Sequence, residues 1–469
     1  MPQLVEEDFW STTGKEVFTM NDLKAGFARV DVTPMMGIDI AGYFVKRVAD
    51  GVLDTLEANA LAVEAGGEKA VMVAIDHCGL DKQYLGKYRT MISEKTGLPR
   101  ENIFLTVTHT HTGPCLNPGT TDPLQLEYDT FLGHRVTDAA VAALEDLKDA
   151  KMGIAVGNAP NIAFIRRYVM KDGSIKTNPG VNNPDIVRCA GDTDERVNVI
   201  RFNRGNDDDI VFVNFGCHPD VVGGTKISAD WPKFLRTTVE KAIDGSRCLF
   251  FNGAQGDVNH VNVRPKAGDF NDMFNDFDGV SRGYGHARYM GRVVAGAVLQ
   301  VFDKVEYMDV NSLKCKEIIF EAPSQMPSDI DDITVEEARH ICELHDAGRD
   351  EELPYKAMML TTMVAQAQRI LKYENGPETF PMMLSAIAIG DVAVFGMPGE
   401  CFTGVGRGLK EARDWKMVCP VINTNQKEGY FPMTDCYKEG GYEARSSRFK
   451  MGTAELIIEE GTKLLDSLH

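Results

Sequence analysis

The feature that most constrains the fold of this chain is the alternation of short apolar segments with longer amphipathic ones. The short segments are rich in β-branched residues and bounded by Gly, Pro, Asn or Asp, which is typical of strands; they cover 27–32, 58–64, 70–75, 103–108, 153–156, 197–202, 210–215, 249–251, 384–389 and 392–395. The longer segments repeat apolar residues at i, i+3 and i+4; they predict helices over 82–97, 123–148, 231–244, 284–302, 334–347, 354–373, 401–413 and 453–468. This alternation predicts an α/β fold with a mixed β-sheet core flanked by helices.

Composition excludes several classes of function. The 469 residues include 43% hydrophobic residues and carry a formal net charge of −19. Such a chain can bury a large core but lacks the basic surface that nucleic-acid binding needs. No apolar run approaches the ~20 residues of a membrane-spanning helix. The N-terminus is acidic, without an apolar secretory segment, which predicts a cytoplasmic protein.

The ten cysteines form no C-x-x-C pair, and Cys217, Cys248 and Cys419 are expected to be reduced and buried.

The domain organisation follows from composition along the chain. Residues 1–24 predict a polar N-terminal extension, and 25–469 predict one folded domain. Within it, 160–196 is rich in Asn, Pro, Asp, Gly and Arg and predicts a long structured loop. Residues 323–380 open with an acidic run and continue into two helices. This insertion is either a helical cap over a site or a surface subdomain. The oligomeric state stays open, with a homo-oligomer among the alternatives.

Polar or glycine-rich turns follow four of the predicted strands. They read Thr-His-Thr-His-Thr-Gly-Pro at 108–114, Gly-Cys-His-Pro-Asp at 216–220, Asn-Gly-Ala-Gln-Gly-Asp-Val-Asn-His at 252–260 and Gly-Met-Pro-Gly-Glu at 396–400. In open α/β sheets, ligand sites form beyond the carboxyl ends of strands. The sequence therefore predicts a metal site where these turns converge.

His109 and His111 are the strongest candidates for metal ligands. On an extended segment, side chains at i and i+2 point to the same face, so two imidazoles can reach one point. Two imidazoles and a carboxylate form a common zinc set that leaves one coordination position open. His218 and Glu400 are candidates to complete the set. The competing interpretation of each histidine is a hydrogen-bonded turn residue.

Motifs that would assign a different chemistry are absent. The chain contains no H-E-x-x-H or P-loop sequence. In metallo-β-lactamase-type hydrolases H-x-H is followed by x-D-H, whereas Gly113 and Pro114 follow Thr112 here. The glycines at 404–408 follow no strand turn and predict helix packing or a loop.

The motifs as a set resemble those of a known family, the neutral/alkaline ceramidases and their shorter bacterial relatives. The resemblance rests on Gly-Phe-Ala-Arg-Val-Asp-Val-Thr-Pro at 26–34, the histidine turn at 108–114, His-Pro at 218–219, Gly-Ala-Gln-Gly-Asp-Val-Asn at 253–259, Pro-Gly-Glu at 398–400, and Tyr430 through Tyr442-Glu443. These motifs run in family order from about residue 25 to 445, nearly the whole chain. The resemblance implies one bound zinc ion per chain and hydrolysis of an amide.

The resemblance also implies a set of metal ligands. By the family pattern, His109, His218, Glu400 and Tyr430 hold the zinc. The tyrosine is assigned by spacing, because the family has a tyrosine twelve positions before its Tyr-Glu pair and Tyr430 stands twelve before Tyr442. Tyr437 is the competing choice.

Further residues receive catalytic roles from the same pattern. His111 is expected to contact the reacting amide and carry a proton to the leaving amine, since an ordinary imidazole pKa suits neutral pH. Arg166 is expected to face the substrate oxygen, with Arg167 as the alternative, and Tyr442 to help stabilise the oxyanion. Asp257 either orients a histidine or water, or caps backbone N–H groups of its turn.

One departure from the family concerns the nucleophile. Asn259 stands where ceramidases place a serine. An asparagine amide cannot act as a nucleophile, so an acyl-serine route is excluded at this position, and we expect Asn259 to contact the substrate instead. The family's secretion signal and its C-terminal immunoglobulin-like domain have no counterpart in the sequence, which favours a soluble substrate over ceramide.

The sequence thus predicts a zinc-dependent hydrolase that cleaves an amide bond of a small soluble N-acyl-type substrate with metal-activated water. One alternative keeps the metal site for lyase, isomerase or ester/lactone chemistry on a polar metabolite. A true ceramidase and a non-catalytic metal-binding protein are the remaining alternatives.

Overall fold

A computed structural model describes residues 22–271, 283–328, 331–411 and 414–469. The predicted extension at 1–24 therefore lies outside the described residues except for its last three positions. Of these, Leu23 is fully buried and Lys24 is the first residue of a strand. Packed structure is present from Leu23 onward.

Three mixed sheets form the framework of the fold. The first contains, in spatial order, Ile103–Val107, Glu68–Ile75, Glu57–Ala65, Lys24–Asp31 and Lys148–Asp149. The second contains Ser246–Asn252, Asp209–Phe215, Arg196–Asn203, Lys151–Asn158 and Glu306–Met308. The third contains Leu313–Pro323, Thr379–Ile389, Val392–Gly396 and Met417–Val421. Each sheet has antiparallel pairs and one parallel pair at an edge.

Shorter ladders connect the loops around this framework. Two-stranded ladders pair Asp39–Ile40 with Arg47–Val48, Gly51–Val52 with Lys226–Ile227, Phe164–Ile165 with Val258–Asn259, and Glu400–Cys401 with Tyr430–Phe431. The predicted loop at 160–196 contains a small three-stranded sheet, formed by Ile175–Thr177, Arg167–Met170 and Ile186–Cys189.

The helices begin and end close to the sequence signals that predict them. Asp81 caps one helix by accepting a hydrogen bond from the Gln83 N–H, and Gly97 ends it in the left-handed conformation. The α-helices are Lys82–Thr96, Pro123–Glu145, Asp230–Ala242, Tyr284–Val301, Val335–Asp346, Ala357–Lys372, Thr403–Lys410, Thr434–Glu439, Tyr442–Ser446 and Thr453–Asp466. None of the helices in these described ranges is both long and apolar enough to cross a membrane.

The core has one central layer shared by the three sheets. Phe104 from the first sheet, Phe212 and Phe251 from the second and Val394 from the third meet there. The outer face of each sheet is covered by its own pair of helices. The three cysteines predicted to be buried are fully buried, and all ten cysteines are free thiols: Cys78, Cys115, Cys189, Cys217, Cys248, Cys315, Cys342, Cys401, Cys419 and Cys436.

The predicted mixed α/β fold is confirmed. Every predicted strand and helix is present, with ends that differ by a few residues. Two strands of the third sheet, Leu313–Pro323 and Met417–Val421, were missing from the prediction. Leu313–Pro323 is an edge strand with many half-exposed and charged positions, so it lacks the apolar signal of a buried strand.

The insertion at 323–380 lies between two strands that are neighbours in the third sheet. Leu313–Pro323 and Thr379–Ile389 pair in register along their whole length, so the chain leaves and re-enters the sheet at the same end. The two inserted helices, Val335–Asp346 and Ala357–Lys372, pack on each other around a small apolar core of their own. The insertion can therefore vary without disturbing the sheet.

Candidate metal centre

The polar turns converge as predicted, and one buried asparagine connects three of them. The Asn252 side-chain amide donates hydrogen bonds to the carbonyls of Thr108 (3.0 Å) and Cys217 (3.3 Å). Its backbone carbonyl accepts a hydrogen bond from the Ile422 N–H (3.0 Å). Asn252 thus ties together turns that follow strands of all three sheets.

Two histidines and one glutamate meet at this point. The Glu400 carboxylate oxygen Oε2 lies 3.1 Å from His218 Nε2 and 3.3 Å from His109 Nε2. All three side chains are buried. We call these three residues the metal cluster, since their ligand atoms are close enough together to bind a single ion.

The hydrogen bonds of the two Nδ1 atoms orient both imidazoles to bind a cation through Nε2. His109 Nδ1 faces the carbonyl of Cys78, and His218 Nδ1 lies 2.9 Å from the carbonyls of Gln255 and Val258. A ring nitrogen that faces a carbonyl carries the proton, so each Nε2 presents a lone pair toward the Glu400 carboxylate. Three electron-pair donors that converge in this way suit a divalent metal, and the backbone carbonyls act as the usual outer partners of metal-binding histidines.

His109 is held in a backbone conformation that is unfavourable for a non-glycine residue. Its φ is +75°, in the left-handed region. Such strain, of order 1–3 kcal/mol, persists only where the surroundings enforce it, and it clusters at functional sites. The His109 N–H donates to the carbonyl of His77 (2.9 Å), which fixes the turn. The predicted extended geometry of the His-Thr-His segment is therefore wrong, although its two rings do meet, with centroids 4.9 Å apart.

Tyr430, rather than Tyr437, lies beside the metal cluster. Tyr430 is the direct partner of Glu400 in a two-residue parallel ladder, so the two side chains are adjacent. Tyr437 lies in the helix Thr434–Glu439, where its hydroxyl donates to the carbonyl of Phe449 (2.7 Å). Burial and the neighbouring Glu400 carboxylate raise the pKa of Tyr430 well above its usual value.

Arg166 faces the cluster, whereas Arg167 points into the structure behind it. The Arg166 guanidinium lies over the Tyr430 ring, 5.3 Å from its centroid, and donates to Glu443 Oε1 at 2.6 Å. Arg167 donates to the carbonyl of Gly440 (2.9 Å) and is almost fully buried. Of the two predicted arginines, Arg166 alone lies next to the candidate ligands.

His111 and Tyr442 complete the surroundings of the cluster. His111 Nε2 lies 3.3 Å from His109 Nε2, and its Nδ1 lies 3.7 Å from Asp220 Oδ1. The Tyr442 ring packs edge-on against Tyr430, with centroids 5.5 Å apart. Candidate site residues from distant segments of the chain therefore lie around the metal cluster.

The charge states of this region follow from burial and neighbours. Burial alone would raise the pKa of Glu400, but the two imidazoles beside it hold that pKa well below its usual value. Burial lowers the pKa of His218, and the positive charge of Arg166 adds to the shift. Burial also lowers the pKa of His111 to about 3, so its imidazole is neutral. The ordinary pKa expected for His111 from the sequence is therefore wrong.

A second group near the cluster is a weaker ligand set. Cys78 lies close enough to His109 and His111 for the three side chains to bind an ion. Burial raises the pKa of the Cys78 thiol to about 12, so it remains protonated at neutral pH. The Glu400 carboxylate is already ionised, whereas the Cys78 thiol must lose its proton to become a ligand, so the set that contains Glu400 is the stronger one.

The side chains of Asp257 and Asn259 bond to residues outside the metal cluster. Asp257 Oδ1 accepts hydrogen bonds from the N–H and hydroxyl of Thr403, both at 2.8 Å, at the start of the helix Thr403–Lys410 and not in its own turn. The Asn259 amide donates to Asn178 Oδ1 (3.0 Å), and its oxygen accepts from the Val261 N–H. In the described part of the chain, no hydrogen bond joins Asp257 to a histidine.

Several residues that support the site received no role from the sequence. Glu443 is fully buried and binds both Arg166 and the Thr177 hydroxyl, the latter at 2.9 Å. Arg47 donates to the His111 carbonyl at 2.7 Å and stacks on the Tyr43 ring. Glu443 belongs to the Tyr442-Glu443 pair of the family pattern, and that pair was a sequence signal that could have indicated a role for Glu443. Nothing in the local sequence connects Arg47 with His111.

Glycine permits the close approach of the loop that carries Tyr43. A Cβ at Gly42 would lie 2.8 Å from the His111 ring, and the φ of Gly42 is +104°. A larger residue would push the imidazole away or displace the loop. The T-shaped contact of Tyr43 with His111, at 5.5 Å between centroids, depends on this glycine.

Comparison with known proteins supports the fold assignment. No protein-family model matches the sequence, and no curated protein matches it. Among solved structures, neutral ceramidase from Pseudomonas aeruginosa is 17% identical, with a TM-score of 0.68 over 95% of this chain and 75% of that one. A ceramidase complexed with C2 is 16% identical, with a TM-score of 0.69 over 95% and 76%. This chain therefore has the fold of the neutral ceramidases, which confirms the predicted resemblance at the level of the fold.

Proposed function

We propose that this protein is a metal-dependent hydrolase that cleaves the amide (C–N) bond of a small soluble N-acyl-type substrate. The observation that carries the proposal is the convergence of two imidazoles and a carboxylate, all buried, with an arginine and two tyrosines beside them. The fold shared with neutral ceramidases supports the same class of chemistry.

The residues that would hold the metal are His109, His218, Glu400 and Tyr430, and we assign one zinc ion per chain. Two imidazoles with carboxylate and phenol oxygens suit zinc as donors. When bound, such an ion activates water near neutral pH and polarises a carbonyl group. The lone-pair geometry of the two Nε2 atoms supports this assignment.

Arg166 and Tyr442 are assigned to stabilise the negative charge that develops on the substrate carbonyl oxygen. Burial lowers the pKa of Arg166, but its neighbours Tyr430 and Glu443 raise that pKa by more than burial lowers it. The guanidinium therefore stays charged. Burial raises the pKa of Tyr442, which keeps its hydroxyl protonated as a donor. Donors fixed in advance of the reaction usually give the largest single contribution to catalysis.

His111 is assigned to move the proton from the attacking water to the leaving amine. Burial keeps its imidazole neutral, and only the neutral ring can accept a proton and then donate it to the leaving amine. The hydrogen bond from Arg47 to the His111 carbonyl holds the backbone of His111 in place.

No side-chain nucleophile is assigned. Asn259 lacks a nucleophilic atom, and its amide is engaged by Asn178 and Val261. The attacking group in this proposal is therefore water. Asn259 contributes by holding Asn178, and Asp257 by capping the helix that begins at Thr403.

We assign a soluble substrate and a cytoplasmic location. The net charge of −19 disfavours approach to anionic lipid surfaces. The ten cysteines are all free thiols, which agrees with a reducing compartment.

The test is a substrate panel read out by release of amine. Zinc-loaded protein is incubated with water-soluble N-acyl amines, N-acyl sugars, detergent-solubilised ceramide, and esters and lactones of matched size. We expect amine release from soluble amides, abolished by a chelator and restored by zinc. Release from ceramide alone would contradict the soluble substrate, and turnover of esters or lactones alone would favour the alternative chemistry. Zinc binding without turnover of any compound would contradict a hydrolase.

A further inference from the structure

A cavity of about 720 Å³ borders Tyr442, whose ring also contacts Tyr430. Its walls come from three segments that are far apart in sequence: residues 174–179, residues 355–363 of the insertion, and residues 439–445 around Tyr442. This volume is typical of a pocket for a drug-sized ligand.

The floor of the cavity is continuous with the candidate catalytic residues. Thr177 lines the cavity, and its hydroxyl donates to Glu443, which in turn holds Arg166. Tyr442 lines the cavity on one side and contacts the Tyr430 ring on the other. Tyr442 is therefore the candidate catalytic side chain that the cavity shares with the site.

One part of the cavity wall is apolar and adaptable. It is formed by Ile175, Tyr355 and three methionines of the insertion, Met358, Met359 and Met363. Methionine side chains are flexible and polarizable, and they accommodate ligands of varied shape. This wall suits a short acyl chain.

The charged residues of the wall leave an excess of positive charge. The two acidic residues are neutralised, because Asp332 pairs with Arg445, and Glu439 lies 3.1 Å from the Arg167 guanidinium. Lys176 and Lys356 also line the cavity, and within the described ranges neither forms an ion pair with a carboxylate. The wall thus carries three basic residues, Lys176, Lys356 and Arg445, against two acidic ones.

We propose that this cavity selects an amide substrate that carries an anionic group, such as the carboxylate of an N-acyl amino acid. Lys176 and Lys356 bind the anionic group, and the methionine wall binds the apolar part. The insertion is then a cap that contributes Lys356 and the methionines. This inference rests on the proposed hydrolase function.

Equilibrium binding to the metal-free protein tests the inference without relying on turnover. The probes are N-octanoylglycine and N-octanoylglycinamide, which differ in charge but hardly in size. We expect the anionic probe to bind at least roughly tenfold more tightly at low salt, and the preference to shrink in 0.5 M NaCl because salt screens exposed charges. Equal affinity for the two probes would overturn the proposal.

Charge-reversal variants locate the effect. Lys176→Glu and Lys356→Glu should each weaken binding of the anionic probe by roughly fivefold, the scale of one partly exposed ion pair, and leave the neutral probe unchanged. Lys151→Glu, at an exposed position on the second sheet away from the cavity, is the matched control and should change neither affinity. An equal effect of all three substitutions would indicate a general surface field and contradict the proposal.

Turnover separates this inference from the proposed function. With zinc bound, hydrolysis of both probes at the same kcat/KM would leave the hydrolase proposal standing and overturn the anionic selectivity. Selective binding of N-octanoylglycine without hydrolysis of either probe would support the cavity assignment and contradict the amidase.

Discussion

The metal cluster and the cavity that borders Tyr442 are built in contrasting ways. The cluster lies at the ends of strands from three sheets that share one core, and Asn252 ties their turns together. The cavity is walled by a loop and by an insertion whose two helices have a separate small core. The framework therefore fixes the candidate chemistry, while elements outside it shape the space for the substrate. In such an arrangement, the substrate can change during evolution while the reaction stays the same.

The largest expected effect is at the cluster itself. His109→Ala removes an imidazole that has no replacement nearby, so we expect loss of metal and loss of activity together. Metal content by elemental analysis and amide turnover are measured on the same sample. Tyr437→Phe, which removes a buried hydroxyl in a different helix, is the control and should retain both. Normal metal content in His109→Ala would break the assignment of the cluster.

The next effect separates binding of the metal from the reaction. His111→Ala should keep the metal and lower kcat by roughly 10²–10⁴-fold, the usual contribution of a general acid–base group. The measurement is kcat together with metal stoichiometry. If the variant also lost its metal, His111 would be a ligand, and the division of roles between His109 as ligand and His111 as proton carrier would be wrong.

An intermediate effect is expected from the core of the insertion. Ile370→Ala removes a fully buried side chain between the inserted helices, which should destabilise their packing by about 2–5 kcal/mol. Because this core is separate from the central one, we expect KM to rise while metal content stays normal. Phe251→Ala, in the central core, is the contrasting variant and should reduce metal content as the whole domain destabilises. Loss of metal in Ile370→Ala would show that the two regions are not independent.

The smallest effect is expected at Asn259. Its side chain holds Asn178 in the cavity wall, so Asn259→Ala should change KM several-fold and leave substantial turnover. The variant is assayed with saturating substrate to isolate kcat. Complete loss of turnover with the metal retained would indicate that Asn259 takes part directly in the reaction.

The sequence predicted the framework and much of the cluster for a physical reason. Apolar strands followed at once by polar turns give a local signal, and the carboxyl ends of strands in a shared sheet lie near one another. His109, His218 and Glu400 each follow such a strand within a few residues. Tyr430 was reached through its spacing from Tyr442, and its ladder with Glu400 explains why that spacing places it beside the cluster.

The cavity could not be predicted because it depends on contacts between distant segments. Lys176 and Lys356 are 180 positions apart, and neither has a local pattern that distinguishes it from other exposed lysines. Glu443 is similar: its interaction with Arg166 spans 277 positions. The left-handed turn at His109 was also beyond reach, since it is imposed by the surrounding structure against the local preference of the residue.

The most direct test of the central claim is the metal stoichiometry and coordination of the purified protein. X-ray absorption at the zinc edge, combined with elemental analysis, reports the number of ions and the donor atoms. We predict one zinc ion per chain with nitrogen and oxygen ligands only, and its loss in both His109→Ala and Glu400→Gln. A sulfur ligand would point to Cys78, and a protein that binds no metal after loading with zinc would contradict the account.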